Sequence, residues 1–330
     1  MIRRTMIALA LAAALVAAPA LAADDWQTPR TPWGHPDLQG LWTNTTLTPF
    51  ERPVEMGDKA FLTEEEVAQA EAARQAMIEN RAEQPAQKAE AGQNVGAYNL
   101  HWLELGTKIV GSRRTSLVVD PPNGRVPVRP VAQQVRADNL VKMFDSYEYM
   151  SVWDRCITRG VPGHLFPAGY NNNYRIAQTP EYVVIYSEMI NDVRFIPVDG
   201  RERLPEDLHL WNGDSRGHWD GDTLVVETKN FSDKGWIATS GSQGRIKGIP
   251  VSTELVTVER FTRIDEETVD WTVTIDDPVN YTDTWTVNIP LYFDPDNEMF
   301  EYACHEGNWA VTNTLSGARH LEKTGGNSSL

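Results

Sequence analysis

From residue 115 onward the chain is built of short runs of β-branched and aromatic residues, each stopped by a turn signal. The run 116–120 meets Pro-Pro-Asn-Gly, 174–178 meets Thr179-Pro180-Glu181 before 182–190, and 193–198 ends at Asp199-Gly200. His218-Trp219 turns through Asp220-Gly221 into 222–228, Asp-Gly being a strong two-residue hairpin signal. The run 253–264 turns through Asp265-Glu266 into 268–275, and further runs occupy 284–290, 299–304 and 309–315. About ten strands with no helical stretch between them predict an all-β, antiparallel barrel or sandwich. No internal repeat of fixed period stands out, which argues against a propeller.

The segment ahead of the strands reads differently. Gly40-Leu41-Trp42 resembles the G-x-W that opens a lipocalin-type barrel, although a Trp anchoring the first strand would look the same. Thr63 and Glu66 form a capping box, and an Ala-rich run continues to about Glu83 before Pro85 stops it. Its apolar stripe (Val67, Ala70, Met77) is thin, so the helix is expected on the surface of the main body. Residues 85–99, rich in Gln, Ala and Gly, read as a linker or loop. The expected division is a signal peptide over 1–22, an N-terminal strand and helical extension over 23–110, and an antiparallel β domain carrying the site over 111–330.

The signal assignment rests on Arg3 and Arg4 before an apolar stretch over 6–18, with Ala20-Leu21-Ala22 as an A-x-A cleavage site. A periplasmic or secreted protein is therefore expected. No later segment approaches the roughly 20 apolar residues of a membrane span. The net charge of −16 becomes more negative once Arg3 and Arg4 are removed. That argues against nucleic acid or an anionic membrane as partner and favours a small molecule, neutral or cationic. The two cysteines, Cys156 and Cys304, suggest a disulfide joining distant segments of an exported chain. The alternatives are a reactive thiolate in Cys304-His305-Glu306, weakened because adjacent strand residues point to opposite faces, or two inert thiols.

Between Trp153 and Asp222 lies a density of Asn, Arg, Asp, His and Trp that a hydrophobic core does not need. Glu188 falls in an apolar run predicted as strand over 182–190, where burial would raise its pKa into the range of a general acid or base. An ion pair with Arg175 or Arg194 is the structural alternative. Residues 211–217 read as a glycine-bracketed loop, in which Asp214 and Arg216 either pair to hold the loop or present Arg216 to an anionic oxygen. Asn171, Asn172 and Asn173 could stabilise an oxyanion or simply make a turn. His305, beside Glu306 at a predicted strand end, is a candidate proton carrier, or a histidine satisfied by a carbonyl. Eleven Trp and ten Tyr favour an aromatic-lined pocket, with Tyr174, Tyr186, Trp211 and Trp219 as candidate walls and Asn171, Asn173 and Glu306 as orienting groups.

Cofactor signatures are missing. His209, His218, His305, Asp214, Asp220, Asp222 and Glu306 show no zinc or calcium-loop spacing, so no metal is expected. Neither glycine-rich phosphate loop follows a strand, and there is no G-x-S-x-G elbow around Ser215.

Seven motifs occur in one order: R-C-x-x-x-G-x-P at 155–162, Y-N-N-N-Y-R-I at 170–176, D-G-R at 199–201, W-N-G-D-S-R-G at 211–217, G-D-T-L-V-V-E-T at 221–228, V-E-R-F-T-R at 258–263 and Y-A-C-H-E-G-N at 302–308. Together they resemble a large family of exported bacterial proteins, over roughly 26–320. The resemblance implies a shared lipocalin-like barrel and a shared site, and it brings no catalytic assignment. The residues themselves lead to a cofactor-independent lyase or isomerase acting on a small aromatic or cyclic molecule. In that expectation Glu188 or His305 moves the proton, Arg216 and Asn172 stabilise negative charge, and Asp214 orients Arg216. A non-catalytic carrier of apolar ligands, and a sugar or ester hydrolase using Asp214 and Glu188, are the other expectations.

Overall fold

The computed structural model describes residues 26–82, 103–104 and 106–325; the expected signal peptide and the 85–99 linker lie outside the described residues. Ten strands form one antiparallel sheet: β1 (Gly40–Thr43), β2 (Val118–Asp120), β3 (Asn173–Gln178), β4 (Tyr182–Ser187), β5 (Asp192–Pro197), β6 (Asp214–Asp220), β7 (Thr223–Lys229), β8 (Val256–Arg263), β9 (Thr268–Asp276) and β10 (Trp285–Phe293). The order is β5-β4-β3-β1-β10-β9-β8-β7-β6, and β2 also pairs with β10. β1 thus links the two halves of the sheet, pairing with β3 on one side and β10 on the other.

The ends of this path come together, giving a nearly closed barrel. A Cβ on Gly217 of β6 would sit 3.0 Å from both Ile196 and Val198 side chains, and Arg194 of β5 donates to Ser215 Oγ of β6. The edges meet through side chains. Burial alternates along the strands as a two-residue period requires, most clearly in β9, where Val269, Trp271, Val273 and Ile275 face inward. Trp42, Trp271, Trp285, Phe261 and Tyr281 fill the core with Leu, Ile and Val around them.

Among the described residues three α-helices accompany the barrel: α1 (Glu64–Ala82), α2 (Pro130–Lys142) and α3 (Ala310–Thr324). α1 starts at the predicted capping box, with Thr63 N–H donating to Glu66 at 2.8 Å and Glu66 N–H to Thr63 Oγ1 at 3.2 Å. Four sequence expectations are corrected. The run 309–315 opens α3 instead of a strand; its β-branched residues are tolerated because the helix is fastened by Arg319 to the Phe144 carbonyl and ended by Gly325 at φ 73°. Residues 299–304 form no strand, and Phe300 N–H donates to Glu188 Oε1 beyond the end of β4. The strand predicted through residue 190 ends at Ser187, where Glu188 adopts helical dihedrals and Ile190 and Asn191 turn left-handed. The 211–217 loop ends at Gly213, because Ser215 and Gly217 are small residues that face the barrel interior from β6.

Among the described residues no helix is long and apolar enough to cross a membrane. Cys156 and Cys304 form a disulfide across 148 residues of sequence. This is compatible with an exported protein.

Candidate functional site

The site grows from the turn that leads into β3. Asn171 takes a left-handed φ of 50°, which Asn tolerates. Asn172 is fully buried, and its side chain accepts from Ala168 N–H at 2.7 Å and donates to Ala168 carbonyl at 3.0 Å. That is turn chemistry: one of the two Asn172 Nδ2 protons is committed to the Ala168 carbonyl, and the amide also bears on the Glu104 carboxyl. Asn173 opens β3 and does something different. Its Nδ2 donates to Glu188 Oε2 at 2.7 Å and to Glu104 Oε1 at 3.0 Å, while its Oδ1 accepts from Asn297 at 3.0 Å.

One amide therefore bridges two carboxyl groups. Glu188 is fully buried at the end of β4, where its N–H donates to Asn173 carbonyl and its Oε1 accepts from Phe300 N–H at 2.9 Å. Glu104 comes from the segment between α1 and β2 and accepts from Asn172 N–H at 2.6 Å. Among the described residues neither carboxyl has a Lys, Arg or His within salt-bridge distance: Arg194 is committed to Glu259, and Arg175 is exposed on the outer face of β3. Burial pushes the Glu104 carboxyl up from its ordinary value, and the charge of Glu188 adds to the shift against the hydrogen bonds that oppose it. The arrangement suits a carboxyl that holds and releases a proton.

Two cavities flank the cluster. Glu104 lines one of about 270 Å³ together with Phe50, Leu117, Thr48, Arg74 and Ser242. The other, of about 580 Å³, is walled by Trp153, Tyr170, Asn171, Phe300, Tyr302 and Glu306. The Tyr170 and Tyr302 rings are nearly parallel with centroids 6.4 Å apart, and Trp153 lies 6.1 Å from Tyr170. The irregular strap over 294–309 covers this side. It is tied down by Asn297 to Asn173, Phe300 to Glu188, the disulfide at Cys304, and Asn308 to the Asp154 carbonyl at 3.1 Å.

The structure brings together Glu188, Asn171, Asn172 and Asn173 of the expected residues and leaves others elsewhere. Tyr174 is buried in the core, donating to His164 carbonyl at 3.0 Å and accepting from Asn44, and burial pushes its phenol well up. Tyr186 stands on the outer face of β4 and donates to Asn191; burial and the charges of Glu188 and Glu301 push it up. His305 is exposed on the strap, beside a cavity of about 320 Å³ near Ile190 and Asn191, and Glu306 next to it is exposed too. Asp214 and Arg216 pair with each other and hold 202–204 against β6, Arg216 through the Glu202 carbonyl and Asp214 through Leu204 N–H. Trp211 lies under the Arg155 guanidinium, and Trp219 packs against His35 toward the other end of β6.

Glu104, Asn297 and the Phe300 N–H were missed by sequence reasoning. Glu104 is the one carboxylate in H-W-L-E-L-G, and no motif with known spacing includes it. The only available signal was a carboxylate in an apolar setting, the reasoning that singled out Glu188. No group of three or more His, Cys, Asp or Glu among the described residues is placed to hold a metal ion. No protein-family model, curated protein or solved structure matches the chain.

Proposed function

We propose that the protein is an exported acid–base enzyme of lyase or isomerase type, working without an added cofactor on a small cyclic or aromatic molecule. The observation that carries this reading is Glu104: a carboxyl pushed toward its protonated form by burial and by Glu188, and lining a cavity of about 270 Å³. In this reading Glu104 exchanges the proton with the substrate, which rests against Phe50 and Leu117. Glu188 is a positioning residue, acting through Asn173 to fix the Glu104 carboxyl and to keep its proton affinity high. The hydroxyls of Thr48 and Ser242 on the same cavity wall are available to a substrate oxygen. Such a carboxyl contributes on the order of 10²–10⁴ in rate when its pKa is matched to the working pH. The likeness to exported bacterial barrels, read from the motifs, and the periplasmic location belong to the same proposal.

One observation favours a second reading, a non-catalytic carrier: both Glu188 oxygens are already engaged, and the larger cavity has aromatic walls suited to holding a ring.

One experiment separates the two. Purified mature protein and its Glu104→Gln and Glu188→Gln variants are incubated with a pool of monocyclic aromatics, lignin-type dimers and cyclic terpenoids, and products are followed by mass. The enzyme reading predicts a new product with the wild type, loss of at least 100-fold in rate with Glu104→Gln, and a smaller loss with a shifted pH profile for Glu188→Gln. A compound retained unchanged by all three proteins supports the carrier, and full turnover by folded Glu104→Gln removes that residue from the reaction.

A further inference from the structure

The larger cavity, of about 580 Å³, has a lining whose chemistry the carboxyl pair does not use. Trp153, Tyr170, Phe300 and Tyr302 form its aromatic walls. The Tyr170 and Tyr302 rings lie within 6° of parallel with centroids 6.4 Å apart, and Trp153 is tilted 46° against Tyr170. Three carboxylates, Asp154, Glu301 and Glu306, share the lining, and among the described residues no Lys, Arg or His joins them there.

These carboxylates are unanswered within the chain. Other acids on the barrel surface have a cation at hand, Asp222 with Arg30 and Glu227 with Arg203, whereas Asp154, Glu301 and Glu306 have none within salt-bridge distance among the described residues. The neighbouring basic groups turn elsewhere. The Arg155 guanidinium lies over Trp211 at 6.0 Å, Arg159 donates to Thr239 Oγ1 and the Phe166 carbonyl, and His305 lines the adjoining 320 Å³ cavity.

Walls and carboxylates favour the same charge. The face of an aromatic ring is the negative side of its quadrupole and attracts a cation within about 6 Å of the centroid. Carboxylates around a concave site raise the local concentration of cations, and the net charge of −16 adds to that attraction. An anion is repelled on both counts. A metal ion is a poor occupant, since hard cations need converging oxygen ligands and no group of three or more His, Cys, Asp or Glu among the described residues is placed to hold one. An organic ammonium ion, with apolar substituents around its charge, meets the rings and the carboxylates together.

The walls are also fixed in place. Cys304 lines the cavity two residues after Tyr302 and is bridged to Cys156, and Asn308 donates to the Asp154 carbonyl at 3.1 Å. A cage built before its ligand arrives loses little freedom on binding.

We propose that this cavity is an aromatic cage for an organic ammonium ion, with the cationic head against Trp153, Tyr170 and Tyr302 and the counter-charge supplied by Asp154, Glu301 and Glu306. The site stands apart from the Glu104 reaction. With the carrier reading it shares the cavity, and it adds the charge of the ligand.

The test is titration calorimetry of the mature protein with choline and with dimethylbutanol, its uncharged isostere carrying carbon in place of nitrogen. Choline is expected to bind roughly 10-fold more tightly or better, the size of a desolvated cation–π contact. Its advantage should shrink as salt rises. Tyr302→Leu is expected to bring the two probes close to parity, and Glu301→Gln with Glu306→Gln to weaken choline and flatten its salt dependence. Glu301 and Glu306 are exposed, so their double variant keeps the fold and decides should Tyr302→Leu unfold. Equal affinity of the two probes for the wild type overturns the cation site and leaves a carrier of neutral rings. Absence of saturable choline binding overturns the site altogether, and displacement of choline by calcium at matched ionic strength assigns the carboxylates to a metal and overturns it too. Because turnover is not read, failure here leaves the Glu104 reaction standing, and failure of that reaction leaves this site standing.

Discussion

At the scale of single residues, the site is defined by where buried charges find partners and where they do not. Glu188 is satisfied by an amide and a backbone N–H, Arg194 by a carboxylate, and Glu104 by two donors that only partly offset its burial. The consequence is a pH signature. Glu104 has a folded-state value above its unfolded one, so between the two the native state binds more protons than the unfolded state, and stability falls as pH rises through that window. Thermal unfolding of the wild type from pH 4 to 8 should show this decline beginning at the ordinary carboxylate range, and Glu104→Gln should lose that component of the slope. Parallel curves for the two proteins would show that Glu104 titrates as it does in the unfolded chain. Glu188 and Asn173 were legible in the sequence because a carboxylate and a run of amides are costly inside an apolar run. Glu104 was not, since its meaning comes from Asn172, Asn173 and Glu188, brought near by the fold.

At the scale of elements, the strap over 294–309 connects the last strand, β10, to α3 and closes the side of the barrel where Asn173 and Glu188 sit. Its anchors are two side-chain contacts, one backbone contact and the disulfide. Cys156→Ser with Cys304→Ser releases one anchor and a closed loop spanning 148 residues, and should cost roughly 2–5 kcal/mol in urea unfolding. It should also loosen ring binding in the 580 Å³ cavity, since Cys304 lines it. A change under 1 kcal/mol would mean that the hydrogen bonds alone hold the strap. The hairpins were legible because turn dipeptides such as Asp220-Gly221 bracket alternating strands, and that hairpin pairs Asp220 with Thr223 as the signal demands. α2 was not legible because only Ala132 of its residues is buried, so it carries no apolar stripe. α3 was misread because Val311, Thr312 and Thr314 favour strands locally, while tertiary anchoring decides for the helix.

At the scale of the whole molecule, the barrel closes without a continuous ladder between β5 and β6, the two ends of the strand order. Arg194 on β5 spans the gap, bonding Ser215 on β6, Thr228 on β7 and Glu259 on β8, while Trp271 Nε1 on β9 donates to the same Glu259. Arg194→Met leaves Glu259 buried without its cation and should destabilise by about 3–5 kcal/mol in urea unfolding. The double variant Arg194→Met with Glu259→Leu should recover most of that loss. Failure of the double variant to recover would place the closing strength in the polar network as a unit. The general architecture was visible in the strand pattern, and the closure was not, because it depends on one arginine reaching three strands.

The central claim is that Glu104 shares a buried, amide-bridged site with Glu188 and is held toward its protonated form. It is tested most directly by a carbon-13 NMR titration of the glutamate side-chain carboxyls, with Glu104→Gln and Glu188→Gln as assignment controls. One carboxyl resonance is expected to titrate clearly above the ordinary glutamate range, to be absent from Glu104→Gln and to move toward that range in Glu188→Gln. A wild-type spectrum in which the Glu104 resonance titrates with the exposed glutamates would contradict it.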